Sequence, residues 1–227
     1  MKIYETIKKN VFSVSFLICC NNYINFLLMG LFSKDKLELE LSPAKADFYE
    51  NFLNKKQADF LFEYLHKHVP WQQEIINFMG KKSPIPRKTY WYSKDNKEYV
   101  YSGIKVLPVP YTKVIQRLSD KVEEKSGYKF NSVLLNLYRD GNDKVAWHAD
   151  DEKSLTDNIN IASVSVGAER DFQFKSKHNS DEKKEILLTH GSLLVMHNPL
   201  QQHWLHQIPI RKKVNKPRIN LTFRYIP

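Results

Sequence analysis

His148 and Asp150 are the first residues in this sequence whose types and spacing suggest chemistry; they stand in the run Trp147-His148-Ala149-Asp150-Asp151-Glu152. An extended strand projects alternate side chains onto one face, so this imidazole and this carboxylate would stand side by side. Such a pair is two thirds of the facial set, two histidines and one carboxylate, that holds non-haem iron(II) with open positions. The third ligand must come from farther along, where His190, His197, His203 and His206 are available. His190 precedes Gly191 at a turn, and His197 precedes Asn198-Pro199. His203 and His206 are an odd number of residues apart and cannot share a strand face. His206 shares its face with Trp204 and Ile208 on a segment leading to the last strand, and it is taken as the third ligand. A lone histidine is more often structural, so this choice leans on the pair already found.

The last strand supplies a second constellation. Arg218, Asn220, Thr222 and Arg224 project to one side, and Ile219, Leu221, Phe223 and Tyr225 to the other. The apolar face covers a core. Two arginines on the opposite face are costly to bury unless they hold an anion, and a cosubstrate with two carboxylates would satisfy both. The alternative is a polar stripe facing solvent on an edge strand.

Elements must position these residues. Asn54 and Gln57 read as a capping box ahead of a helix with Phe60, Leu61, Tyr64, Leu65 and His68 at helical spacing, closed by Val69-Pro70. Phe78-Met79-Gly80-Lys81-Lys82-Ser83-Pro84-Ile85-Pro86-Arg87-Lys88 reads as a surface loop, or as one that probes a duplex with an apolar wedge and flanking cations. Tyr90-Trp91-Tyr92 and Tyr99-Val100-Tyr101 suggest a hairpin around Asp95-Asn96, with aromatics on a shared face. Pro108-Val109-Pro110 starts a second helix that Gly127 stops. From Asn131 the period becomes two: Val133, Leu135 and Leu137 share one strand face, Asn136 and Tyr138 the other. Further strands are expected at Ile161–Val166, Phe172–Phe174, Glu185–Leu188, Leu193–His197, Trp204–Ile208 and Arg218–Tyr225. Many short strands after two helices give an α+β chain with a double-sheet jelly-roll core.

At 227 residues the chain can bury one well-packed core, and 42% hydrophobic with 26% charged residues is ordinary for a globular protein. Lys and Arg number 35 against 25 Asp and Glu, a net charge of +10 that suits a soluble basic surface or a polyanionic partner. The cysteines, Cys19 and Cys20, are adjacent, which excludes a disulfide framework and implies a reducing compartment. Residues 1–28 read as an N-terminal extension, either an over-extended frame before Met29 or a poorly ordered segment. Asn21, Asn22 and Asn25 argue against a spanning helix there. Residues 29–110 are then a region with nucleotide-recognition loops and 111–227 the jelly-roll core, together one structural domain.

Taken in order, Asn136-Leu137-Tyr138-Arg139-Asp140-Gly141, His148-Ala149-Asp150, His206 and Arg218-Ile219-Asn220-Leu221-Thr222-Phe223-Arg224 resemble the AlkB family of iron- and 2-oxoglutarate-dependent nucleic-acid dealkylases. The runs from Ala162 to Phe172 and from His190 to Leu194 look most like its DNA-repair branch, represented by AlkB homologues 2 and 3. The resemblance implies a double-stranded β-helix core behind an N-terminal helical and hairpin region that recognises substrate. It implies Fe(II) held by His148, Asp150 and His206, with Arg224 beside them in the catalytic set. Arg218, helped by Asn220 and Tyr138, would clamp the distal carboxylate of 2-oxoglutarate, with Arg224 and Asn136 near the end that chelates iron. Tyr101 and Glu152 would line the base pocket, the flipped base stacking between Tyr101 and His148. Met79, with Phe78, falls at the finger that fills the gap in a duplex, where the repair homologue carries an aromatic.

The implied reaction removes methyl groups from bases such as 1-methyladenine and 3-methylcytosine, using O2 and releasing formaldehyde, succinate and CO2. A lesion that cannot pair is cheap to flip, and its cationic ring suits Glu152. Lys81, Lys82, Arg87, Lys88 and Arg211-Lys212-Lys213 are the candidate contacts to alkylated DNA or RNA. The protein is expected to be a monomer without stable membrane association, cytoplasmic, or nuclear in a eukaryote. Competing readings are the same oxygenase core acting on RNA, a protein or a lipid, and a nucleic-acid-binding module without catalysis. A zinc hydrolase could use the same three ligands but leaves the arginine pair unexplained.

Overall fold

The computed structural model describes residues 36–227 other than 79–80, 96–98, 102–103, 107–108 and 152–158; for 77–78, 81, 99–101 and 104–106 it describes the backbone alone. The reading of residues 1–28 lies outside these described residues. Lys36–Pro227 form one compact unit. It opens with β1 (Leu37–Leu41), β2 (Ala44–Tyr49) and helix α1 (Lys55–His68). The hairpin β3 (Ile75–Phe78) and β4 (Lys81–Pro84) follows, then β5 (Lys88–Ser93) and the pair β6 (Tyr99–Tyr101) and β7 (Ile104–Val106). After α2 (Lys113–Ser126) come β8 (Ser132–Tyr138), β9 (Val145–His148), β10 (Ile161–Gly167), β11 (Arg170–Ser176), β12 (Lys183–Leu188) and β13 (Ser192–Met196). The short α3 (Leu200–His203), β14 (Trp204–Ile208) and β15 (Arg218–Arg224) complete the order.

Seven strands form one sheet in the order β1-β2-β13-β10-β15-β8-β5, and four form another in the order β12-β11-β14-β9. Their pairings are antiparallel. Period-two alternation sorts each strand between two cores. Val133, Leu135 and Leu137 of β8 and Ile219, Leu221 and Phe223 of β15 pack with Leu61 and Leu65 of α1 and Ile115, Leu118 and Val122 of α2. Leu134, Tyr138, Leu194 and Met196 on the other face meet Phe172, Phe174, Trp204 and Ile208 of the smaller sheet. Two antiparallel sheets sharing a core, with few helices, is the jelly-roll arrangement.

Asn54 closes the expected capping box on α1: its side chain accepts from the Gln57 N–H at 3.0 Å, and Gln57 accepts from the Asn54 N–H at 3.1 Å. Phe60, set at helical spacing with Leu61 and Leu65, is 61% exposed, because Ala58, Leu61 and Leu65 fill the buried face. α2 starts at Lys113 behind the N-cap Thr112, later than the Pro108-Val109-Pro110 start. Gly127 ends it in the left-handed region (φ 77°).

The expected aromatic hairpin is not formed as drawn. β5 hydrogen-bonds to β8, with Tyr90 opposite Leu135, while β6 pairs with β7. Trp91 therefore enters the core between the sheets, and Tyr90 and Tyr92 face the helices. The basic segment after Phe78 is the second strand of a hairpin, Phe78 pairing with Lys81. β1 and β2 join the large sheet through β13 and were not anticipated. Among the described residues no helix is long and apolar enough to cross a membrane.

Candidate active site

The side-by-side placement of His148 and Asp150 does not come from one continuous strand. β9 ends at His148, and Asp150 follows in a bend. What assembles the site is strand register: His148 of β9 lies directly opposite His206 of β14, their rings 4.2 Å apart. The bend then returns the Asp150 carboxylate toward both, its Oδ1 3.7 Å from His148 Nε2. One ligand atom from each of His148, Asp150 and His206 falls within 4.8 Å of the others.

Neighbouring groups prepare these atoms for a cation. His148 Nδ1 lies 2.8 Å from the Ala146 carbonyl, which can only accept, so Nδ1 carries the hydrogen and Nε2 keeps a lone pair. The Asp150 N–H donates to Gln201 Oε1 at 3.0 Å, pinning the bend. Arg224 Nη2 donates to Asp150 Oδ2 at 2.7 Å. Phe172 stacks on the His206 ring at 5.2 Å.

Burial works against a charged Asp150, but the adjacent Arg224 guanidinium and the two imidazoles overcome it and hold the carboxyl well below the usual range. Burial, reinforced by His148 and opposed by Asp150, pushes His206 down to about 3. At neutral pH the site therefore presents an ionised carboxylate and a neutral buried imidazole, the protonation states that metal ligation requires.

A buried cation lines the same cavity and could hold an anion there. Arg218 is buried; its Nη2 donates to Ser165 Oγ at 2.9 Å, and its Nε and Nη1 have no partner among the described residues. Burial lowers Arg218 to about 10, so it stays a cation at neutral pH. Asn220 Nδ2 donates to Ser163 Oγ at 2.7 Å, and Tyr138 lies beside Arg218, 5.1 Å from guanidinium carbon to ring centre. β15 runs between β10 and β8 and is buried throughout, so its polar face is no solvent stripe; Tyr225, beyond the strand, is 51% exposed. A carboxylate would satisfy the idle donors of Arg218, and a ligand with a second acidic end would reach toward the three side chains that could hold a metal ion.

The structure brings His148, Asp150, His206, Asn136, Tyr138, Arg218, Asn220 and Arg224 to one cavity. Arg87 lines it too. Expected among surface phosphate contacts, Arg87 is only 6% exposed, its Nε donating to Asn136 Oδ1 at 2.8 Å. Glu152 and Met79, and the side chains of Phe78 and Tyr101, lie outside the described residues. Of the basic cluster, Arg211 is paired with Asp171, while Lys212 and Lys213 are exposed. The other candidate histidines are engaged elsewhere: His190 with Asp59 at 3.1 Å, His197 with Asp47 at 3.0 Å and His203 with His178 at 3.1 Å. Ser163, Ser165 and Gln201 were missed. The serines alternate with buried Ala162, Val164 and Val166, a pattern that marks a polar inner face; Gln201 left no such signal.

Residues 45–224 match the 2OG-Fe(II) oxygenase superfamily. The chain is 41% identical to the DNA oxidative demethylase ALKBH2 of Bos taurus over 188 residues, 78% of this chain and 68% of that one. It is 39% identical to the human ALKBH2, over 78% of this chain and 72% of that one. With the alpha-ketoglutarate-dependent dioxygenase alkB homolog 3 of Mus musculus it shares 39% over 83% of this chain and 70% of that one. The solved structure of OsALKBH1 superposes with a TM-score of 0.57 over 79% of this chain and 97% of its own, at 15% identity, a likeness of fold. With its two-histidine, one-carboxylate group and its buried arginine facing the same cavity, the chain belongs to the 2OG-Fe(II) oxygenase superfamily, in the AlkB family with ALKBH2 and ALKBH3, and is a dioxygenase that uses iron(II) and 2-oxoglutarate.

Proposed function

We propose that this chain removes alkyl groups from damaged nucleic-acid bases of the 1-methyladenine and 3-methylcytosine type, in DNA first. The observation that carries the reading is the identity of about two residues in five with DNA oxidative demethylase ALKBH2 over 78% of this chain. His148, Asp150 and His206 hold the iron; Arg218, with Asn220 and Tyr138, holds the distal carboxylate, and Arg224 and Asn136 flank the chelating end. When bound, iron(II) and 2-oxoglutarate supply oxygen activation and the oxidising equivalent that hydroxylates the alkyl carbon. The chain's own residues orient and shelter that chemistry. Arg224 keeps Asp150 ionised, the Ala146 carbonyl fixes the His148 tautomer, and Phe172 shields the His206 ring from water.

The β3–β4 hairpin, whose strands are joined in sequence through Met79 after Phe78, is the duplex-probing finger of this reading, and Tyr101 and Glu152 receive the flipped base. Arg87, inside the cavity, suits a contact to the base or its own nucleotide better than one to a distant phosphate. Lys212 and Lys213 remain available for the backbone. The protein acts as a monomer in the cytoplasm, or the nucleus of a eukaryote.

The test is formaldehyde release and base restoration on oligonucleotides carrying 1-methyladenine or 3-methylcytosine, single- and double-stranded, DNA and RNA. Iron(II) and 2-oxoglutarate are supplied, and His148→Ala is the control. Turnover by the wild type alone is expected; no turnover on any of these substrates rejects the assignment.

A further inference from the structure

Arg170, at the start of β11, is 1% exposed and has no part in the site assigned above. Its guanidinium donates to three main-chain carbonyls: Nη1 to Asp140 at 3.1 Å, and Nη2 to Asp143 at 2.9 Å and Pro209 at 2.5 Å. Asp140 and Asp143 belong to the turn that leads into β9 and His148. Pro209 is the residue after β14, which carries His206. One side chain thus fastens together the two segments whose register makes the metal-ligating group.

The same guanidinium approaches the cosubstrate end. Its central carbon lies 5.8 Å from the centre of the Tyr138 ring, and that of Arg218 lies 5.1 Å from the same centre. One aromatic ring is shared by two buried cations, each held there in part by the ring's negative face. Among the described residues neither arginine makes an ion pair with a carboxylate. The Asp143 carboxylate, in this turn, is taken by Arg139 at 2.8 Å. Burying a guanidinium without a counter-charge is costly, and a neutral amide could bond to two carbonyls at lower cost. Two buried cations around one ring, neither in contact with a carboxylate among the described residues, make the cavity end ready for a ligand with charge to spare.

We propose that Arg170 is a positioning residue for the cosubstrate, fixing Tyr138 and the metal-bearing segments and adding the second buried positive charge that favours a dianion. This rests on the assignment of the distal carboxylate to Arg218. Arg170 acts through Tyr138 and through its field, without touching the ligand.

Anaerobic binding to the iron-loaded protein, followed by the charge-transfer absorption of the metal–cosubstrate complex, tests it. The paired ligands are 2-oxoglutarate and 2-oxopentanoate, which keeps the chelating end and carries a methyl in place of the distal carboxylate. With iron saturating, Arg170→Gln is expected to weaken 2-oxoglutarate about tenfold, the order of one added charge at intermediate range, while 2-oxopentanoate affinity stays within about twofold. Equal losses for the two ligands, or none, overturn the inference. Arg218→Gln run alongside separates the layers. If it shows the selective loss and Arg170→Gln does not, only this inference fails; if neither shows it, the assignment of Arg218 fails too. Should Arg170→Gln not fold, Arg170→Lys keeps the charge and one carbonyl bond, and its 2-oxoglutarate loss should again be selective but smaller. If neither variant folds, Arg170 is a determinant of the fold alone and the inference is overturned.

Discussion

Arg224 and Asp150 form an ion pair at 2.7 Å across 74 residues of sequence, each side chain only 3% exposed. A buried pair broken from one side leaves an uncompensated charge, at a cost of about 3–5 kcal/mol, which the carboxylate avoids by taking up a proton. Arg224→Met should therefore leave Asp150 protonated nearer neutral pH, so that iron must displace a proton to bind. The expected loss is about 10- to 100-fold in iron(II) affinity at pH 7, the range seen when partners of metal ligands are removed. Anaerobic iron titration of both proteins measures it. Unchanged affinity would show that Arg224 serves the cosubstrate alone.

Ser165 gives a subtler test of the anion site. Its Oγ is the hydrogen-bond acceptor for Arg218 Nη2, and Ser165→Ala removes that acceptor without removing charge. The guanidinium then loses its orientation and one more buried N–H goes unpaired, costing about 1–3 kcal/mol of stability. The KM for 2-oxoglutarate should rise about three- to tenfold with kcat nearly unchanged, because binding rather than the chemical step is affected. Succinate formation against cosubstrate concentration separates the two, and a fall in kcat at constant KM would count against this role for Ser165.

Local patterning made part of this legible in the sequence. The alternation of Arg218, Asn220, Thr222 and Arg224 with Ile219, Leu221 and Phe223 required only the two-residue period, and both faces went where that period sends them. His206 could be chosen by its strand face, but its meeting with His148 depends on β9–β14 register, which no local signal carries. The same limit misplaced the aromatic hairpin. Tyr90-Trp91-Tyr92 has strand character whichever partner it takes, and the large core of β8 won over β6. β1 and β2 did leave a signal, since Leu37, Leu39 and Leu41 alternate with charged residues. Arg170 left none: between Glu169 and Asp171 it reads as a surface charge, and only the fold shows it surrounded by carbonyls.

Asp143 links the turn before β9 to acid stability. Burial works to raise its pKa, but hydrogen bonds from the Arg139 guanidinium and main-chain N–H, each at 2.8 Å, lower it below the model-peptide value. A carboxylate depressed in the folded state stabilises fully above its unfolded pKa, about 4, and loses that contribution as pH falls through the folded value. Asp143→Asn should cost about 1–2 kcal/mol at pH 7, kept low because Arg139 is 46% exposed and screened. The gap between wild type and variant should narrow as pH falls below about 4. Urea unfolding at several pH values measures it, and a gap that persists unchanged into acid would refute the linkage.

Gly141 and Gly127 separate steric exclusion from backbone preference. A Cβ on Gly141 would overlap the Arg211 carbonyl oxygen and come within 2.9 Å of the Val214 carbonyl. Those loops are joined there by Gly141 N–H to Val214 O and Arg211 N–H to Gly141 O, both at 2.7 Å. Alanine must push the loops apart and break both bonds, and it also disturbs the Asp140 carbonyl that Arg170 holds. At Gly127 the φ of 77° is unfavourable for alanine, yet nothing lies within 4 Å of the new methyl. Gly127→Ala should then cost about 1 kcal/mol, the penalty of a left-handed residue, and Gly141→Ala about 2–4 kcal/mol. Only the second should also weaken 2-oxoglutarate binding, because only that turn is tied through Arg170 to Tyr138 and Arg218. Urea midpoints and cosubstrate affinities of the two variants decide it, and equal effects on both quantities would break the connection between the turn and the site.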